Sequence, residues 1–166
     1  MYVNFFKLTT KIYDKKMYHF EKSVIMDCPI EKAFAFHKDT NNLKLISPSS
    51  VKTEIIKIEL PLVLNSEIEL SVTQFGIFKS YWKVKISQYI ENEIIGDYML
   101  KGPFKYWYHR HCFDRQAGKT IMTDRVDYDM PFGFLGDIAH GLFVKKMIQS
   151  MFELRHKKTK EILEKI

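Results

Sequence analysis

The stretch Gly102–Phe113, GPFKYWYHRHCF, carries the densest chemistry in the chain. In an extended strand the side chains alternate between faces, so Trp107, His109, His111 and Phe113 line one side. A second stretch, GKTIMTDRVDYDM, places Asp124 on a face with Thr120, Met122, Val126 and Tyr128. The link DRQAGK between them predicts a hairpin that brings Asp124 within reach of the two histidines.

Three chemistries fit this set. Two imidazoles and a carboxylate on neighbouring strands are the beginnings of a facial metal site. A His–Asp pair in apolar surroundings is also an acid–base pair with a displaced pKa. Third, the groups satisfy one another, because buried polar atoms need partners. No third histidine or cysteine is obviously placed beside them, so no metal is expected at His109 and His111, and no cofactor is implied elsewhere. Catalytic candidates are His109, His111 and Asp124, but no nucleophile elbow, Ser-His-Asp order or cysteine motif accompanies them. The expectation is mutual pairing, with Asp124 buried and bonded to His109, His111 or Arg155. Trp107 and Phe113 would then wall a pocket to which the histidines lend a polar end.

The elements that must position these residues follow from periodicity. Met17–Met26 alternates and reads as a strand, with residues 1–16 set apart as an extension to a single domain at 17–166. DCPIEKAFAFHKD reads as a helix, capped by Asp27 or Cys28 with Pro29 at its first position, and DTNNLKLISP as a second short one. VKTEIIKIEL, SEIELSVTQFG, KSYWKVKISQYI and EIIGDYMLKG are successive strands leading to the hairpin, with Trp82, Val84 and Ile86 on one face. PFGFLGDIAHG breaks the pattern. Beyond it Val144, Met147, Ile148, Met151, Arg155, Ile162 and Ile166 share a helical face, while Leu135, Ile138 and Leu142 lie on a rotated one. That rotation predicts a kink, or two helices, near Gly141. The layout is α+β, a curved antiparallel meander on a long C-terminal helix.

Arg155 interrupts the apolar helix face. A buried guanidinium needs Asp124, Asp97 or an acidic ligand, unless its stem lets it snorkel to the helix edge. A cavity between sheet and helix is the usual place for a small molecule in such a layout. Its expected walls are Trp82, Trp107, Met122, Tyr128, Met147 and Met151, with His109, His111, Asp124 and Arg155 as polar ligand-binding residues.

Bulk properties narrow the class. The 166 residues, 46% of them hydrophobic, suit one packed domain. The net charge of +6 gathers near KKM (Lys15–Met17) and RHKKTK (Arg155–Lys160) without interleaved stacking aromatics, so nucleic acid is not expected as a partner. Two distant cysteines, Cys28 and Cys112, fit a reduced, cytoplasmic setting, and no apolar run is long enough for membrane insertion.

The element order resembles the START-like superfamily, also called SRPBCC, whose helix-grip fold is shared with Bet v 1-like proteins. CPIEKAFAFHKDTNNLKLISP resembles the opening of that family. GPFKYWYHRHCF, GKTIMTDRVDYDMPFG and FELRHKK resemble strand and helix segments of an uncharacterised, polyketide-cyclase-like branch. The resemblance implies a pocket for a hydrophobic molecule such as a lipid, polyketide or aromatic compound, held by a carrier or sensor. The alternative it implies is a cyclase or aromatase using His109 or His111. A protein-interaction module with a filled core is the third class.

Overall fold

The computed structural model describes residues 17–165, and both the extension at residues 1–16 and the helix-face residue Ile166 lie outside that range. Strand β1 (Tyr18–Met26) is followed by helix α1 (Ile30–Lys38), a 3-10 turn (Thr40–Asn42) and helix α2 (Leu43–Ile46). Six strands come next: β2 (Val51–Ile58), β3 (Glu67–Gln74), β4 (Phe78–Ile90), β5 (Ile94–Lys101), β6 (Tyr106–Gln116) and β7 (Lys119–Asp129). The chain closes with α3 (Phe134–Ala139), a π-helical turn (His140–Val144) and α4 (Lys145–Leu163).

All seven strands form one antiparallel sheet in the order β1-β7-β6-β5-β4-β3-β2. Strands β2 to β7 are a meander, and β1 returns to pair with β7. Register shifts at Ile55/Lys57, Lys83/Val84 and Ile86/Gln88 bend β2 and β4. Such bulges add local twist and curl a sheet into a grip. At the last of these, Gly96 faces Gln88, and a Cβ on Gly96 would lie 3.1 Å from that of Gln88. The hairpin from β6 to β7 closes between Gln116 and Lys119, with Ala117 (φ 49°) and Gly118 (φ 79°) both left-handed, as a two-residue turn requires.

One local expectation is corrected, and the break expected near Gly141 is found and made specific. Pro29 is the cap of α1 and not its first residue, since its ψ of 146° is extended, and neither Asp27 nor Cys28 caps the helix through a side chain. The break near Gly141 is a π-helical turn inside a helix that runs from Phe134 to Leu163. One added residue rotates the following helix by about 100°. This accounts for the two offset faces in the sequence, and Leu135, Ile138 and Leu142 remain exposed.

The inner face of the sheet packs on α1 and α4. Met26, Ala33, Phe34, Ile86, Met122, Val126, Ile148 and Phe152 form the tightest part of the core. On α4 the buried line is Ile148, Phe152, His156, Thr159 and Leu163, one position away from the expected centre. Among the described residues no helix is long and apolar enough to cross a membrane.

Candidate functional site

A cavity of about 200 Å³ lies between the sheet and α4. Its apolar walls include Ile68 and Leu70 of β3, Trp82 and Val84 of β4, Trp107 of β6 and Met122 of β7. Met147 and Met151 face it from α4. Trp82 and Trp107 meet edge to face, with ring centroids 5.5 Å apart. At the other extreme of polarity, Asp97, His109, His111, Asp124, Arg155 and His156 line the same space, joined by His37 of α1.

Nine of the ten ligand-binding residues expected from sequence therefore border one cavity. The exception is Tyr128, which does not line it. Its ring packs on Phe104 and Trp107, and its hydroxyl bonds to His140 Nε2 at 2.8 Å. Burial raises its pKa to about 12, so it stays a neutral phenol of the core.

Asp124 is the centre of the polar end and is 2% exposed. The β6–β7 register sets His111 directly across from it, with His109 two residues along. His109 Nε2 donates to Asp124 Oδ1 at 2.8 Å, and His156 Nε2 donates to Oδ2 at 2.6 Å. His111 Nδ1 sits 2.5 Å from Oδ1 but off the line of a well-formed hydrogen bond. Burial by itself would raise the Asp124 pKa, but the three imidazoles outweigh it and hold the carboxyl well below the usual range. The expected burial and pairing of Asp124 are present, with His109 as partner. His156 was missed, because histidine and the nearby Thr159 look polar on a helix otherwise traced by methionine and isoleucine.

The four histidines are not equivalent. Burial pulls the pKa of His109 down, but Asp124 at Nε2 and Asp97 at Nδ1 (3.5 Å) outweigh that and push it up to about 9. It is an imidazolium clamped between two carboxylates. His37 is driven down to about 3, first by burial and then by the neighbouring His111, whose ring is 4.9 Å away. Its Nδ1–H donates to the Ala33 carbonyl at 2.8 Å, which leaves Nε2 as the bare nitrogen. His111 is also lowered, chiefly by burial. Neutral imidazoles at His37 and His111 thus adjoin a charged one at His109.

His109, His111 and Asp124 offer donor atoms within 4.8 Å of one another, the spread of a three-ligand metal site. The nitrogen–oxygen separations of 2.5 and 2.8 Å leave no room for an ion between the donors. Ligands placed about 2.1 Å from a tetrahedral zinc would stand roughly 3.4 Å apart. In this arrangement the donors are engaged with one another.

Arg155 has a different environment. It borders the cavity from α4 and touches the Phe152 ring, 5.7 Å from its centroid. Its Nε is buried without a partner, and no carboxylate among the described residues lies within ion-pair distance. Burial lowers its pKa, with Asp124 and Asp97 opposing from further off.

The profile of the family described as polyketide cyclase / dehydrase and lipid transport matches residues 26–153, and the chain belongs to that family. Curated protein sequences give no match. Solved structures do. A START superfamily protein from Mycobacterium smegmatis is 18% identical, with 88% of this chain and 97% of that one covered and a TM-score of 0.66. The ginseng major latex-like protein 151 from Panax ginseng is 11% identical, covering 89% and 97%, with a TM-score of 0.65. The di-domain ARO/CYC StfQ of the steffimycin biosynthetic pathway is 9% identical, covering 89% of this chain and 51% of its own, with a TM-score of 0.72. These likenesses establish a START-like, helix-grip fold. With the family match they define a ligand-binding or polyketide-cyclase-type SRPBCC protein.

Proposed function

We propose that the protein binds one apolar, ring-bearing small molecule in the cavity between sheet and α4, as a carrier or sensor. The observation that carries this reading is the cavity itself, about 200 Å³ and walled largely by Trp, Met, Ile, Leu and Val. An apolar void of about 150 Å³ is enough to take up benzene, so this space suits one or two rings or a short acyl chain. Met122, Met147 and Met151 give the wall flexible, polarizable surface that adapts to a ligand. A neutral two-ring dye, 1-aminonaphthalene, tests it. The expected result is a saturable, one-to-one rise in fluorescence that is weakened in Met151→Phe, whose larger, stiffer ring intrudes on the space. A linear, unsaturable signal, or one unchanged in the variant, overturns the reading.

A second reading is a cyclase or aromatase that uses a pocket histidine. Its support is the division of charge among the imidazoles. His109 is protonated to about pH 9 and is a poor base at neutral pH, whereas the neutral His111 on the cavity wall is a competent one. Under this reading His111→Gln abolishes turnover of a supplied poly-β-ketone while leaving dye binding intact.

A further inference from the structure

Among the described residues, Arg155 is a cavity-facing cation whose charge no carboxylate answers at close range. Asp124 is already engaged by three imidazoles, and Asp97 lies against His109. Arg155 is half-buried as a residue, its guanidinium is surrounded by protein, and it borders the cavity. A desolvated cation without a partner is costly, and one that faces a ligand site is a ready anion receptor.

Met147, Met151 and Arg155 follow one another at four-residue intervals on α4, all bordering the cavity. Four residues advance a helix by about 6 Å, so this stripe runs about 12 Å from an apolar end to a cationic one. The planar fork of a guanidinium matches the two oxygens of a carboxylate. Asp97 and Asp124 in the same wall disfavour a dianion such as phosphate and favour a single negative charge.

We infer that the ligand is an apolar monocarboxylic acid, seated with its hydrocarbon or ring against the tryptophan–methionine wall and its carboxylate on Arg155. This rests on the proposed binding function and adds the chemical class of the ligand.

The test is calorimetric titration at pH 7.5 with two isosteric probes, naphthalene-2-carboxylate and its uncharged amide. In the parent the acid binds at least tenfold more tightly than the amide. Arg155→Met loses at least tenfold for the acid and keeps the parent's affinity for the amide. Arg155→Lys, which retains charge without the fork, lies between. Without ligand, Arg155→Met melts no lower than the parent, since an unanswered buried cation has been removed. Equal affinities for acid and amide in the parent overturn the acid assignment and leave the binding function standing, so the parent alone decides if a variant does not fold. Binding of neither probe overturns both. An Arg155→Met protein that melts several degrees below the parent also counts against the inference, because the guanidinium would then have a partner within the protein.

Discussion

Replacing Asp124 by Asn keeps the shape of the side chain and removes its charge. Asp124 accepts from His109 at 2.8 Å and His156 at 2.6 Å and is approached by His111 at 2.5 Å. An amide offers one acceptor and turns two donor hydrogens towards imidazole N–H groups. The His109 imidazolium is left with Asp97 alone, 3.5 Å away. Stripping one partner from a buried, hydrogen-bonded charge pair costs about 3–5 kcal/mol. His109 can relieve part of this by losing its proton, so about 3 kcal/mol is the expected loss near pH 6.5. At roughly 2–4 °C per kcal/mol for a domain of this size, the melting temperature falls by about 10 °C. Scanning calorimetry reads that fall. Imidazole NMR titration reads its cause, because the His109 pKa falls from about 9 once the Asp124 charge is gone and only Asp97 still raises it. An Asn variant that melts within about 2 °C of the parent and keeps the high His109 pKa would refute the reasoning, since Asp124 could not then be the charge partner.

The remaining predictions concern pH, metal, packing and the cavity. His109, raised from 6.5 to about 9, contributes fully below pH 6.5 and loses its contribution as the pH climbs towards 9. His37, lowered to about 3, acts in the opposite sense, because below pH 6.5 the unfolded chain takes up a proton that the folded one refuses. Urea midpoints should therefore peak near pH 6.5 and decline on both sides, and a flat profile from pH 6 to 9 would contradict the imidazolium clamp. Elemental analysis after dialysis should find well under one metal per chain, and stoichiometric zinc, iron or manganese that vanishes in the double variant His109→Ala, His111→Ala would reverse the reading that the donors engage one another. Gly136→Ala should lower the melting temperature by several degrees, because its Cβ would collide with the Pro131 carbonyl oxygen. Met151→Phe should melt no lower than the parent while weakening ligand binding, as expected when a side chain grows into an existing void and not into packed neighbours.

The strands were legible because their side chains alternate without interruption. In β6 and β7 the inward residues Trp107, His109, Phe113, Met122, Asp124 and Val126 are all buried, with His111 half-buried beside them. The turn between the strands carries Ala-Gly at its two left-handed positions. That Asp124 would meet a histidine of β6 was legible from the same alternation, though not which one. Periodicity marked a break near Gly141 but not the exact phase of the helix beyond it. The π-helical turn at His140–Val144 inserts a residue that no composition rule marks, and His156 and Thr159 occupy buried positions that an apolar pattern assigns to solvent. The approach of His37 on α1 to His111 depends on how α1 seats on the sheet, which is a tertiary fact. Tyr128 shares a strand face with Met122 yet lies beyond the cavity, because Phe104 and Trp107 stand against it.

The central claim is that a small apolar molecule occupies this cavity and no other part of the protein. Methionine methyl groups labelled with carbon-13 report it directly, because Met122, Met147 and Met151 border the cavity while Met26 and Met130 are buried away from it. On saturation with naphthalene, ring currents should shift the methyl signals of Met122, Met147 and Met151, leaving those of Met26 and Met130 in place. Saturable binding that moves Met26 or Met130 and leaves the three cavity methionines unshifted, or no shift at any methionine, would contradict the account.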